Sequence, residues 1–200
     1  MMEVCARNVG GVWFGVASLA NQVLATSFGS DKGNVLDGVL ESVRLDVAYR
    51  VSSEPSDFAE RVVSILRDVY DGKEVALDVP LDMDRLPAYT QRVLRAVSRI
   101  PLGYVASYGG VADAVGGGAR AVGNCMANNP FPPIVPCHRV VTSSLGLGGY
   151  GGGLRVKFDF LRRERRGFTQ GLEVSLYDGV LRVFPAEAVL QKLEKSADKF

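Results

Sequence analysis

The 200-residue sequence is poor in the residues that most often build metal, disulfide and membrane sites. It holds one histidine, His138, and three cysteines, Cys5, Cys125 and Cys137. Three widely spaced cysteines imply no disulfide framework. With one histidine and no CxxC pair there is no zinc signature, so no metal is expected. No apolar run approaches the ~20 residues of a bilayer span. Residues 1–20 also lack the basic start and small-residue cleavage site of a secretory signal. The expectation is an intracellular, cytoplasmic protein (nuclear if eukaryotic) without membrane contact. Repeats and low-complexity segments are absent.

Net charge is scarce as well, at +1, and says little about partners. Its distribution says more. Residues 1–84 hold 7 basic and 14 acidic residues, a balance of −7. Residues 85–170 hold 12 and 3, a balance of +9, and residues 171–200 hold 4 and 5. A near-neutral chain with one basic half has the electrostatic footprint of a nucleic-acid binder. The bland alternative, a helix with a solvated basic face, serves for Arg162, Arg163, Arg165 and Arg166. It serves less well for an excess spread over 86 residues.

What is present centres on residues 129–140, NPFPPIVPCHRV. Pro130, Pro132, Pro133 and Pro136 fix φ and remove donors, so this stretch reads as a stiffened loop delivering Cys137 to a set place. The lone histidine follows the cysteine directly, and a nearby imidazole is the commonest route to a thiolate near neutral pH. On spacing alone a reactive thiol and a buried structural cysteine both remain open.

Two β-rich runs at 11–28 read as a hairpin, and 47–51 as a further strand. Pro55 opens an amphipathic helix that Gly72 stops, with Ser53 as candidate cap. Trp13 reads as core. The stretch 77–87 marks a boundary. A helix then runs from Ala88 to about Arg99, with Val93, Leu94, Val97 and Ile100 inward. Two short helices follow, 107–116 with Ser107 as cap and 119–128, joined by glycines in a helix-turn-helix pattern. The second helix is bald: Ala119, Ala121, Gly123 and Ala127 are small, and Arg120 is its long cation. Such a helix can approach a minor groove closely, or simply pack tightly. The glycine-rich run 146–154 lacks a P-loop lysine and reads as a mobile loop. A helix to about Arg166, a β-like run over 173–184 and an amphipathic helix from about Ala186 complete the chain.

The run RAVGNCMANNPFPPIVPCHRVV, residues 120–141, resembles the signature of the O6-alkylguanine-DNA alkyltransferases, and the likeness extends over roughly residues 88–166. The resemblance implies an α/β fold: an RNase H-like domain over 1–82, a winged helix-turn-helix-like DNA-binding and alkyl-acceptor domain over 83–170, and an extension over 171–200. It implies single-turnover transfer of an alkyl group from O6-alkylguanine, and from O4-alkylthymine, in double-stranded DNA to Cys137. Binding through the minor groove as a monomer, without cofactor, is expected.

The same resemblance gives His138 and Glu164 to a cysteine–water–histidine–glutamate relay. It makes Asn129 a hinge, and Tyr108 the residue that rotates the 3′ phosphate and bonds the leaving guanine. Arg120 fills the gap left in the stack. Val140 offers its carbonyl to the guanine amino group, Tyr150 lines the pocket, and Lys157 lies near its mouth. Gly151 stands where many relatives have serine; it keeps the backbone N–H toward guanine O6 and widens the pocket. Pro132 and Gly148 match positions that favour bulky O6 groups. Taken by itself, Glu164 reads instead as a surface partner of its neighbouring arginines. The alternatives are a non-catalytic lesion binder, against which Cys137 argues, and a cysteine hydrolase, which would turn over repeatedly.

Overall fold

The computed structural model describes residues 1–43, 47–177 and 179–197. These form two compact units, Met1–Arg85 with Asn129–Ile134, and Leu86–Asn128 with Val135–Phe200. Among the described residues, no helix is long and apolar enough to cross a membrane.

The first unit begins with three antiparallel strands, β1 (Met2–Val9), β2 (Val12–Leu19) and β3 (Gln22–Gly29). Both turns take positive φ, at Gly10 and Gly11 and at Ala20 and Asn21, which suits the right-handed twist of a tight hairpin. Helix α1 (Lys32–Val43) leads to the short strand β4 (Tyr49–Val51), which lies parallel to β1 and closes the order β3-β2-β1-β4. Helix α2 (Asp57–Tyr70) follows.

Period-2 alternation divides this sheet. Val4 and Ala17 join Val39 and Val43 of α1 in one core cluster. Phe14 meets Tyr70 of α2 edge-on at 5.6 Å. Gly15 is obligatory on the α1 side: a Cβ there would lie 2.6 Å from Val35 Cγ1. The edge of β3 is covered too. Thr26 donates its N–H to Pro130 O at 2.8 Å and its hydroxyl to Pro132 O at 2.7 Å, which ties 129–134 to this unit.

Four details differ from the sequence expectation. Strand β1 and helix α1 escaped it. The cap of α2 is Ser56 rather than Ser53, because its hydroxyl accepts from Ala59 N–H. Trp13 is half-buried rather than core, with Lys32 Nζ 5.4 Å from its ring centroid.

The second unit starts with α3 (Ala88–Val97), whose inward residues Val93, Leu94 and Val97, with Ile100 beyond its end, are buried as the helical spacing requires. Strand β5 (Tyr104–Ser107) runs into α4 (Tyr108–Val115), capped by the Ser107 hydroxyl, which accepts from Gly110 N–H at 2.9 Å. Residues 116–118 turn the chain into α5 (Ala119–Ala127), completing the helix-turn-helix. A 3-10 turn, Cys137–Arg139, precedes β6 (Val140–Val141). Helix α6 (Leu154–Arg163), strands β7 (Leu172–Ser175) and β8 (Val180–Pro185), and α7 (Ala186–Ala197) finish the chain.

The second sheet has the order β6-β5-β8-β7, so the last 30 residues supply two of its strands. Val189 and Leu190 of α7 pack with Val105, Val141 and Leu161. The mixed α/β class read from the sequence holds.

Candidate active site

The 3-10 turn presents Cys137 and His138 as consecutive residues at the end of the proline-rich segment. Cys137 keeps 7% of its surface exposed and His138 none. Helix α6 lies across this turn, and one of its faces is unusual. Lys157, Phe160, Leu161 and Glu164 recur at helical spacing and all are fully buried, so two charged residues share the inward stripe.

Glu164 at the end of α6 is the anchor. Its Oε1 lies 2.8 Å from His138 Nε2. Arg139 donates Nε to Oε2 at 2.9 Å and Nη2 to Oε1 at 2.8 Å, a two-pronged pairing, while its Nη1 donates to Ile100 O at 2.7 Å. Burial alone would raise the carboxyl, but His138 and Arg139 hold it down to about 2. An ionised carboxylate only accepts, so His138 Nε2 carries the proton that faces it.

Burial pushes the His138 imidazole below its usual range, against the pull of Glu164, so at neutral pH it is neutral. Its Nδ1 is then an acceptor. Nδ1 is buried and has no hydrogen-bond partner among the described residues. Phe160 stacks on the imidazole at 4.4 Å and 20°, which fixes the plane of the ring.

Lys157 is the second buried charge. Its Nζ donates to Val140 O at 2.6 Å, Leu147 O at 2.6 Å and Gly149 O at 3.2 Å, which uses all three ammonium protons. It also lies 5.7 Å from the Tyr108 ring centroid and 5.9 Å from that of Tyr150. Burial pushes the amine down to about 8, against the pull of the Cys137 thiolate. The expectation of a lysine at the pocket mouth is therefore corrected: it is interior, and it ties down the carbonyls of the glycine-rich run. That run is also pinned by Thr142, whose Oγ1 accepts from Gly146 N–H at 2.8 Å. The loop expected to be mobile is held along its first half, at Gly146, Leu147 and Gly149.

The Tyr108 phenol is raised by burial and by the Cys137 charge, so it keeps its proton. Its hydroxyl donates to Gly149 O at 3.4 Å. Gly148, at φ 68°, packs on that ring: a Cβ there would lie 2.8 Å from Tyr108 Cε2. Gly151 has open space where a side chain would stand. Val140 O, expected to meet a guanine amino group, already accepts from Lys157 and retains one lone pair.

On α5, Val122, Cys125 and Met126 face inward, while Ala119, Arg120 and Ala127 are exposed and Ala121 and Gly123 half-exposed. A Cβ at Gly123 would meet nothing within 4 Å, so the small residues do not serve packing there. Asn129 and Pro132 fall in the first unit, where Asn129 Oδ1 accepts from Phe131 N–H at 3.0 Å.

The second unit thus brings together Cys137, His138, Glu164, Tyr108, Val140, Tyr150 and Lys157. Sequence reasoning missed Arg139 and Phe160. Both were within reach: Arg139 ends the Cys-His-Arg run, and Phe160 sits one helical turn before Glu164. The other cysteines contrast with Cys137. Burial and nearby Glu3 and Glu60 push the Cys5 thiol up to about 11, and Cys125 contacts the Thr90 hydroxyl at 3.7 Å.

Residues 88–166 match the family model of the 6-O-methylguanine DNA methyltransferase DNA-binding domain. A methylated-DNA–protein-cysteine methyltransferase of Methanothermobacter thermautotrophicus is 37% identical over 131 residues, covering 64% of this chain and 74% of that protein. One from Mycolicibacterium paratuberculosis is 41% identical over 138 residues, covering 65% and 82%. Among solved structures, the O6-methylguanine-DNA methyltransferase of Pyrococcus kodakaraensis superposes with a TM-score of 0.63 at 29% identity, covering 82% of this chain and 99% of that one. The Mycobacterium tuberculosis OGT in complex with DNA gives 0.66 at 29% identity, covering 82% and 92%. These relatives account for most of their own lengths within this chain, and the chain belongs to the methylated-DNA–protein-cysteine methyltransferases.

Proposed function

We propose that the protein repairs DNA by direct reversal, with Cys137 taking the alkyl group of O6-alkylguanine in a single turnover. The observation that carries this reading is the buried contact between His138 Nε2 and Glu164 Oε1 directly after Cys137, which leaves Nδ1 as the acceptor. The thiol proton passes to Nδ1 through a bridging water. The thiolate sulfur attacks the alkyl carbon, the S–C bond forms and the C–O6 bond breaks. Guanine returns to its 6-oxo form and takes up one proton. The product is a thioether, which offers water no carbonyl to attack, so the protein is spent. Glu164 and Arg139 are positioning residues in this scheme.

The target carbon is inside the duplex, so the nucleotide must leave the stack, at a few kcal/mol. The small face of α5 suits close approach to the minor groove, and Arg120 stands exposed at its start to fill the gap. Tyr108, placed beside Gly148 and Gly149, bonds the leaving guanine. The N–H of Gly151 faces O6, and Tyr150 walls the pocket. Asn129 supports the segment before Cys137. O4-alkylthymine belongs to the same chemistry, and a monomer is sufficient for it.

Intact mass after exposure to O6-methylguanine DNA tests the reading. One methyl group per protein, on Cys137, is expected, with none on Cys137→Ala. Repeated turnover would instead identify a hydrolase, and an unchanged mass a lesion binder. The free base O6-benzylguanine is also expected to alkylate Cys137, since Gly151 leaves the pocket open; an unmodified mass under excess would refute the wider pocket. Arg120→Ala should slow repair of duplex DNA more than reaction with the free base.

A further inference from the structure

Three arginines play no part in the site above. Arg92, Arg95 and Arg99 lie on the exposed face of α3 and just past its end, opposite buried Val93, Leu94 and Val97. Their i, i+3, i+7 spacing makes one stripe ~10 Å long. The stripe lines a cleft of roughly 470 Å³, within the ~300–1,000 Å³ typical of small-ligand pockets. The C-terminal end of α4 and residues 175–177 at the β7–β8 turn close it. Gly179 lies close against the end of α4: a Cβ on it would stand 2.8 Å from Ala114 O.

Like charges at this spacing repel and weaken a helix. Arg92 and Arg99 have no acidic partner among the described residues to offset that, although Arg92 lies 5.7 Å from the Tyr89 ring centroid. Arg95 bonds Gln91 at 3.4 Å. Tyr177, another cleft residue, is wholly exposed, so its ring adds nothing to the core. Asp178, next in sequence, lies outside the described residues. Guanidiniums suit phosphate oxygens, and a free aromatic face suits a nucleobase.

We propose that this cleft binds a nucleotide, with its phosphate on the arginine stripe and its base on Tyr177. The nucleotide is either free or one unit of a DNA strand, and the test separates the two. Fluorescence anisotropy of a labelled, undamaged oligothymidylate is measured over a range of salt, with thymidine monophosphate as competitor. The triple variant R92Q/R95Q/R99Q should lose tenfold or more in affinity, and its salt slope should fall by about 0.7 for each phosphate the variant no longer neutralises. Tyr177→Ala should lose about fivefold or more, with an unchanged slope. Both should keep the wild-type rate of Cys137 alkylation by free O6-benzylguanine, which reports folding and leaves the repair reading untouched. Competition by the monophosphate at sub-millimolar concentration assigns the free nucleotide; binding of the oligonucleotide without such competition assigns the strand. Wild-type binding of both probes by Tyr177→Ala, whatever the arginine variant does, would reduce the cleft to a patch of screened charge and overturn the proposal.

Discussion

Glu164 accepts from three N–H donors on two consecutive residues, His138 and Arg139, while wholly shielded from water. Glu164→Gln keeps the shape but removes the charge, so Arg139 is left buried and uncompensated. Such a loss costs about 3–5 kcal/mol, readable by urea unfolding. The same change frees the imidazole to take the wrong tautomer, and alkyl transfer should slow about a hundredfold or more. Lys157→Met tests the other buried charge. It removes a cation near the thiol, so the Cys137 thiol should titrate at higher pH, which the pH profile of its alkylation rate would register. That Cys137 and His138 stand side by side was legible at once, although spacing alone left a reactive and a structural thiol both open. The burial of Lys157 was not, since a lysine in a sequence reads as surface until its three carbonyl acceptors are in view.

Helix α5 shows how an element can be stabilised at the expense of its task. Gly123 lies inside the helix with room around it. Gly123→Ala should therefore raise thermal stability, by about 1 kcal/mol. If the small face serves DNA, the same variant should bind duplex more weakly, so calorimetry and anisotropy should move in opposite directions. Most elements were legible through their punctuation: Ser107 and the glycines 116–118 bracket α4, and Gly72, at φ 74°, follows α2. Helix α1 was hidden because only Val35, Val39 and Val43 are buried in it, and its stripe leans on Gly15 of another strand. Strand β1 was hidden because Cys5 and Val9 share a face with Glu3 and Arg7, and Asn8 interrupts the other, which blurs the apolar alternation.

Over the whole molecule, acid acts on two buried groups in the same direction. The folded His138 titrates below its unfolded value near 6.5, so protonation favours the unfolded chain and stability falls as pH drops below that value. Glu164 contributes stability fully above its unfolded value of 4.5, and this is lost as pH falls toward about 2. The urea midpoint should accordingly decline in two stages on acidification, and Glu164→Gln should flatten the lower stage. The uneven charge of the chain was plain from sequence. The allegiance of residues 129–134 was not, because their partner is Thr26, more than a hundred positions away.

That allegiance limits how the protein can be divided. One unit is interrupted by six residues that belong to the other, so no single cut yields both intact. A fragment beginning at Leu86 would keep Cys137 yet strip the cover from Phe131, whose ring is fully enclosed and lies 6.0 Å from the Arg85 guanidinium carbon. Such a fragment should be sticky and short-lived in solution, because the segment leading to Cys137 would lose the strand edge against which Thr26 holds it.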